Sequence, residues 1–142
     1  LELRSTSGQP VALLLLDLDH FKRINDSHGH LVGDDCLNVA ARCIEDVVRP
    51  RGGIVARFGG EEFVAVLPGM DAQQALQVAE QLRARVESSQ VQWQEQGVPL
   101  TVSVGVAVRL PQEQVPTAAL ERADRALYAA KHGGRNRVNM GR

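Results

Sequence analysis

The sequence predicts an α/β (α+β) fold in which helices cover a central mixed sheet, largely antiparallel. Three observations predict it. Residues 11–18 form an unbroken apolar run bounded by turn residues, the pattern of a strand buried on both faces. Residues 54–67 hold two β-favouring runs split by Gly59-Gly60, the pattern of a tight hairpin. Elsewhere apolar residues recur at helical spacing, which gives the order β-α-β-β-α-β-α-β.

The totals bound the class. With 142 residues the chain supports one domain with a real core, and 1–142 reads as a single domain. Apolar content of 44% and charged content of 23% are those of a soluble globular protein. A net charge of −1 argues against an electrostatic nucleic-acid binder. The Leu13-Leu-Leu-Leu16 run is too short to span a bilayer and lacks signal-peptide flanks, so no membrane contact is expected of this segment. Cys36 and Cys43 fall seven positions apart on one expected helix. Their Cα atoms are then roughly 10 Å apart, too far for a mutual disulfide. Reduced thiols point to the cytoplasm. The chain begins Leu1-Glu-Leu-Arg4 without an initiator methionine, which reads as a piece of a longer protein, membrane-anchored or not.

Taken in order, residues 1–10 read as a helix end and a loop. The strand over 11–18 ends in Asp17-Leu-Asp19. Residues two apart on a strand share a face, and two carboxylates there suit a hard cation such as Mg²⁺, or one of them caps a helix. An EF-hand loop is excluded because Lys22 stands where glycine is needed. Residues 20–27 read as a short helical turn and 25–30 as a turn. His28-x-His30 offers two metal nitrogens but no third ligand. Gly33-Asp34 opens a helix that Pro50 ends. Asp71 caps a helix over 72–88. Trp93 lies in a linking stretch. Residues 100–108 alternate as a strand, Thr117 caps a last helix through Lys131, and 138–140 form a short final strand.

The hairpin carries the sharpest signal. A two-residue turn pairs Phe58 with Glu61 and Arg57 with Glu62, in a central hairpin covered on both faces. Glu61 and Glu62 then stand side by side at its tip. Two like charges there are costly unless a cation meets them, or unless solvent and Arg57 satisfy them. If the first strand lies beside the hairpin, Asp17 meets Glu61.

These residues also form an ordered series: Asp17-Leu-Asp-His-Phe-Lys22, Asn25-Asp, Gly29-His30, Gly33-Asp34, Arg57-Phe-Gly-Gly-Glu-Glu-Phe63, Ser103-Val-Gly105, Ala123-Asp-x-Ala-Leu-Tyr-x-Ala-Lys131 and Gly134-Arg-Asn136. In this order and spacing the chain resembles the GGDEF domain of diguanylate cyclases, in its Gly-Gly-Glu-Glu-Phe form. The resemblance runs from about Pro10 to Val138. It implies a palm-like nucleotidyl cyclase fold and the joining of two GTP into cyclic di-GMP with release of two pyrophosphates. Each domain of a dimer would hold one GTP, and each 3′-hydroxyl would attack the other's α-phosphate.

Residue by residue, the resemblance implies that Asp17, the Leu18 carbonyl and Glu61 hold Mg²⁺ (or Mn²⁺), with Glu62 near a second ion. Glu61 matches the proton acceptor for the 3′-hydroxyl, and Lys22 a lysine that stabilises phosphate charge. Lys131 and Arg135 match basic residues near the terminal phosphates. Asn25 and Asp34 match the guanine readers, with His30 near that pocket and Leu37 as its apolar wall, although Phe21 and Leu37 also suit the core. Arg49-Pro-Arg-Gly52 stands where many members have an Arg-x-x-Asp product-inhibition motif. Arg49 is kept and the aspartate is glycine, so inhibition there is expected to be weak or absent. The family's usual opening segment is missing, and with it the junction to an N-terminal sensor domain. Two other classes compete: a non-catalytic module that binds GTP or cyclic di-GMP, and an adenylyl cyclase of similar chemistry. Asn25 and Asp34 favour guanine over adenine.

Overall fold

The computed structural model describes residues 9–109, 113 and 116–142. In chain order the elements are β1 (Val11–Leu18), α1 (Phe21–His28), α2 (His30–Val48), one 3-10 turn (Arg49–Arg51), β2 (Ile54–Arg57), β3 (Glu62–Pro68), α3 (Ala72–Glu87), β4 (Gln90–Trp93), β5 (Gln96–Pro99), β6 (Val102–Arg109), α4 (Pro116–His132) and β7 (Arg137–Met140). The helix end expected near residue 1 lies outside the described residues.

The main sheet has the order β2-β3-β1-β6-β7. It is antiparallel throughout except for the parallel β6–β7 pair. All eight residues of β1 are buried, because the strand sits mid-sheet with helices on both faces. Side chains alternate across it. Leu14 and Leu16 join the larger core under α2 and α3, while Leu13 and Leu15 join a smaller one under α4. Fully burying each such leucine contributes about 1.5–3 kcal/mol. Gly105 of β6 makes room for α4, since a Cβ there would lie 2.2 Å from the Ala123 carbonyl oxygen. That close approach fixes the height at which Lys131 meets the sheet. Asp71 caps α3 as expected, in a reciprocal capping box with Gln74. Both cysteines lie buried and unbridged on α2, and burial, helped by Asp35, pushes the Cys36 thiol up to about 11.

Several expectations are corrected. The hairpin turn has three residues, since Arg57 pairs with Phe63 and Phe58 donates to the Glu62 carbonyl at 2.7 Å. Gly59 (φ 68°) and Gly60 (φ 51°) are both left-handed, and Glu61 completes the loop. The hairpin is only half covered: β3 is central, whereas β2 is the sheet edge, with Ile54 59% and Phe58 58% exposed. Residues 25–30 are no simple turn, because α1 runs to His28 and α2 restarts at His30. Gly29 (φ 89°) alone breaks them, its N–H held by the Asn25 carbonyl at 2.8 Å. Gly33 and Asp34 therefore lie inside α2 and do not open it. Thr117 lies inside α4, whose first residue is Pro116, an imino acid preset for that place. The stretch around Trp93 holds the β4–β5 hairpin, turned by Gln94 (φ 48°) and Glu95 (φ 67°) without any glycine to announce it.

Candidate functional site

The site forms where β1 runs out beside the β2–β3 turn. Pairing sets Asp17 opposite Glu62 on one side and opposite Ser103 on the other. Directly opposed residues show their side chains on one face, so Asp17 and Glu62 share the α4 side. One residue on, the Leu18 N–H donates to the Glu61 carbonyl at 3.2 Å. The ladder thus delivers both turn glutamates to the end of β1. An open cleft of about 660 Å³ lies here, lined by Asp17, Leu18, Lys22, Glu61, Lys131 and Arg135 with their neighbours. Glu62 faces a smaller hollow with Phe58, Asp124 and Leu127. Arg57 closes the turn by donating Nε to the Gly60 carbonyl at 2.8 Å, in place of the expected pairing with Glu62.

Asp17 is 3% exposed, and the Lys131 ammonium of α4 donates to it. Burial pushes its carboxyl up to about 6; Glu61 and Glu62 push the same way, and Lys131 pulls it down. The carboxylates of Asp17, Glu61 and Glu62 thus act on one another at the strand's end, with the Lys131 ammonium bonded to Asp17. Among the described residues no three His, Cys, Asp or Glu lie close enough to hold an ion by themselves. Mg²⁺ does not require that: it binds through one or two carboxylates and takes water and phosphate oxygens for the rest. An oxygen-only donor set at the mouth of a cleft fits such an ion. The His28-x-His30 pair is not such a set, because it offers ring nitrogens and no oxygen; the His28 ring packs edge-on against Trp93, 4.6 Å between centroids.

Asp19 is not a second cation ligand in waiting. It is 5% exposed and accepts from Thr101 Oγ1 at 2.7 Å, Ser103 Oγ at 2.6 Å and the Asn136 N–H at 2.9 Å. It ties β1 and β6 to the turn after α4. In that turn Arg135 is left-handed (φ 64°) and its N–H is held by the Ala130 carbonyl at 3.0 Å.

With this geometry in hand, the chain matches the model of the diguanylate cyclase GGDEF domain over residues 1–137. The chain belongs to the GGDEF family. It is 37% identical over 132 residues to Diguanylate cyclase A of Treponema denticola, covering 93% of this chain and 35% of that protein. In structure it is similar to the GGDEF domain of DgcB from Caulobacter crescentus in complex with c-di-GMP, with TM-score 0.88, 39% identity, and coverage of 94% of this chain and 79% of that one. It is also similar to the active GGEEF domain of a diguanylate cyclase from Vibrio cholerae, with TM-score 0.86, 34% identity, and coverage of 94% and 84%. The chain spans between 20% and 42% of the curated relatives it matches.

The other expected positions of this GGDEF domain lie apart from the carboxylate cleft, along α1 and α2. Asn25 lies mid-way along α1, its amide oxygen buried and without a hydrogen-bond partner. His30 and Asp34 are exposed on α2. Leu37 is 3% exposed and belongs to the large core, so it is packing first. Phe21 packs against the same core and, unlike these, also lines the carboxylate cleft. Arg49, in the 3-10 turn, pairs with Glu45 one helical turn back. Sequence reasoning offered Asp19 as a cation ligand or helix cap, which its three hydrogen bonds correct, and gave no role to Ser103 or Asn136. Their signal was there: each stands in the ordered motif series, but nothing in one dimension shows that the three meet. His20, Arg23, Asp26 and His132 also line the cleft.

Proposed function

We propose that this chain is the catalytic domain of a diguanylate cyclase, which joins two GTP molecules into cyclic di-GMP and releases two pyrophosphates. The observation that carries this reading is the buried Asp17 carboxylate beside Glu61 at the mouth of a cleft that also holds Lys22, Lys131 and Arg135. Acid and base there match the two demands of phosphoryl transfer, a proton acceptor and neutralised phosphate charge. Asp17, Glu61 and the Leu18 carbonyl would hold Mg²⁺ or Mn²⁺, with Glu62 nearest a second ion. When bound, the ion polarises phosphate oxygens and lowers the pKa of a bound hydroxyl.

The chain's own residues do the rest. Glu61 accepts the proton of the attacking 3′-hydroxyl. Lys22 and Arg135, both exposed at the cleft, meet phosphate oxygens. Lys131 donates to Asp17 and lines the same cleft, where its ammonium would also meet a phosphate oxygen. Asn25 and Asp34 read guanine from α1 and α2, with His30 beside them. One domain holds one GTP, so the reaction needs a second domain facing the first. We place the domain in the cytoplasm, where GTP is, as one part of a longer signalling protein with a regulatory segment before it.

The test incubates the purified chain with GTP and Mg²⁺, alone and fused to a dimerising helix, and looks for cyclic di-GMP by mass spectrometry. Product that disappears in Glu61→Ala is expected. A fused dimer that binds GTP yet makes none would leave the non-catalytic module as the reading.

A further inference from the structure

Gly33 lies buried inside α2 with no left-handed torsion. Its N–H donates to the Gly29 carbonyl at 3.1 Å. The backbone therefore gives no reason for glycine, and a mid-helix glycine costs stability relative to alanine. Space gives the reason. A Cβ on Gly33 would lie 1.8 Å from the Asn25 amide oxygen and 2.9 Å from Asn25 Cγ. No packed side chain tolerates that approach. The Asn25 amide fills the notch that glycine leaves on α2, one position before Asp34.

The same amide oxygen is buried and accepts no hydrogen bond. A buried acceptor without a donor is costly and is paired in most proteins. A base bearing N–H donors supplies what it lacks. Guanine offers N1–H and an exocyclic amine, while adenine has an unprotonated N1.

We infer that Gly33 is a positioning residue for base selection: it seats Asn25 against α2 beside Asp34 and so sets the preference for guanine over adenine. This rests on the reading of Asn25 as a base reader. Gly33 touches no nucleotide itself. A side chain there turns the Asn25 amide out of its notch, or pushes α1 off α2, and in either case separates Asn25 from Asp34.

Binding is measured by calorimetry with 3′-deoxy-GTP and 3′-deoxy-ATP, which lack the attacking hydroxyl, on the wild type, Asn25→Ala, Gly33→Ala and the double variant. Loss of about one hydrogen bond is worth roughly tenfold in affinity. Asn25→Ala and Gly33→Ala are each expected to lose about tenfold of the guanine preference. The double variant is expected to lose no more than either and to melt above Gly33→Ala, because truncating Asn25 removes the clash. Gly33→Ala that keeps its preference while Asn25→Ala loses it overturns the inference. So does a double variant as unstable as Gly33→Ala, since the clash would then lie elsewhere. If Asn25→Ala itself keeps the preference, the reading of Asn25 as a base reader falls, and the inference with it.

Discussion

Asp19 and Asn136 stand 117 positions apart, yet the Asn136 N–H donates to the Asp19 carboxylate at 2.9 Å. The same carboxylate holds Thr101 and Ser103 at the start of β6. Asn136 is held from the other side by Arg83 of α3, whose guanidinium donates to its amide oxygen at 2.9 Å. The residue after Arg135 is thus held by two part-buried polar bonds, and the Arg135 N–H by the Ala130 carbonyl, which sets the backbone that carries this exposed arginine at the cleft.

Asp19→Asn tests that clamp. Asparagine offers one acceptor oxygen for three donors and adds donors of its own. Stability should fall by about 2–3 kcal/mol in denaturant unfolding. KM for GTP should rise more than kcat falls, because Arg135 is displaced while Asp17 and Glu61 stay. An unchanged KM in a well-folded variant would show that the clamp serves the fold alone.

The Asp17 carboxyl gives a pH signature. Its value in the fold is about 6, against an ordinary 3.8. Between those values the folded chain holds this proton and the unfolded chain does not. Stability from this group is therefore full below about pH 4, falls as pH rises to about 6, and is level above. The size is up to about 3 kcal/mol. Urea unfolding in chelator, compared between the wild type and Asp17→Asn, isolates it: the variant should lack that fall. Added Mg²⁺ should stabilise the wild type more at pH 7 than at pH 4.

Glu61→Ala should abolish turnover and leave the fold intact. Glu61 is a loop residue, and its charge pushes the Asp17 carboxyl up, so removing it relieves repulsion. The melting temperature should hold or rise slightly. A marked drop in chelator would mean that Glu61 has a structural role the turn does not suggest.

The Arg49 region should respond to a single change. Arg49 is held by Glu45, and Gly52 is left-handed (φ 75°) with open space where a Cβ would sit. Aspartate tolerates that conformation better than most residues. Gly52→Asp should therefore fold and should tighten cyclic di-GMP binding by about tenfold, the worth of one charge-assisted hydrogen bond. Calorimetry checks it, and equal, weak binding by both proteins would rule the site out.

Much of this was legible in one dimension because it depends on local rules. The apolar run of β1, the glycines of the hairpin, the Asp71 cap and the stripes of α2, α3 and α4 each follow from side-chain type and spacing. So did the meeting of Asp17 with the turn glutamates, since one adjacency of strands suffices for it. The β4–β5 hairpin was hidden because Gln94 and Glu95 turn the chain with residues that do not advertise a turn. The hairpin register was missed by one residue, because two glycines permit either loop length and only the pairing of β3 with β1 selects between them.

The sequence by itself determined the family, the order of the main elements and the chemical types present at the cleft, because periodicity and motif spacing are properties of neighbours along the chain. Only the tertiary structure decided what each polar group does there. It gave Asp17 to Lys131 and Asp19 to Asn136, and set the Asn25 amide in the notch of Gly33. The physical reason is that hydrogen bonds and steric contacts act over about 3 Å of space, and distance along the chain carries no measure of that.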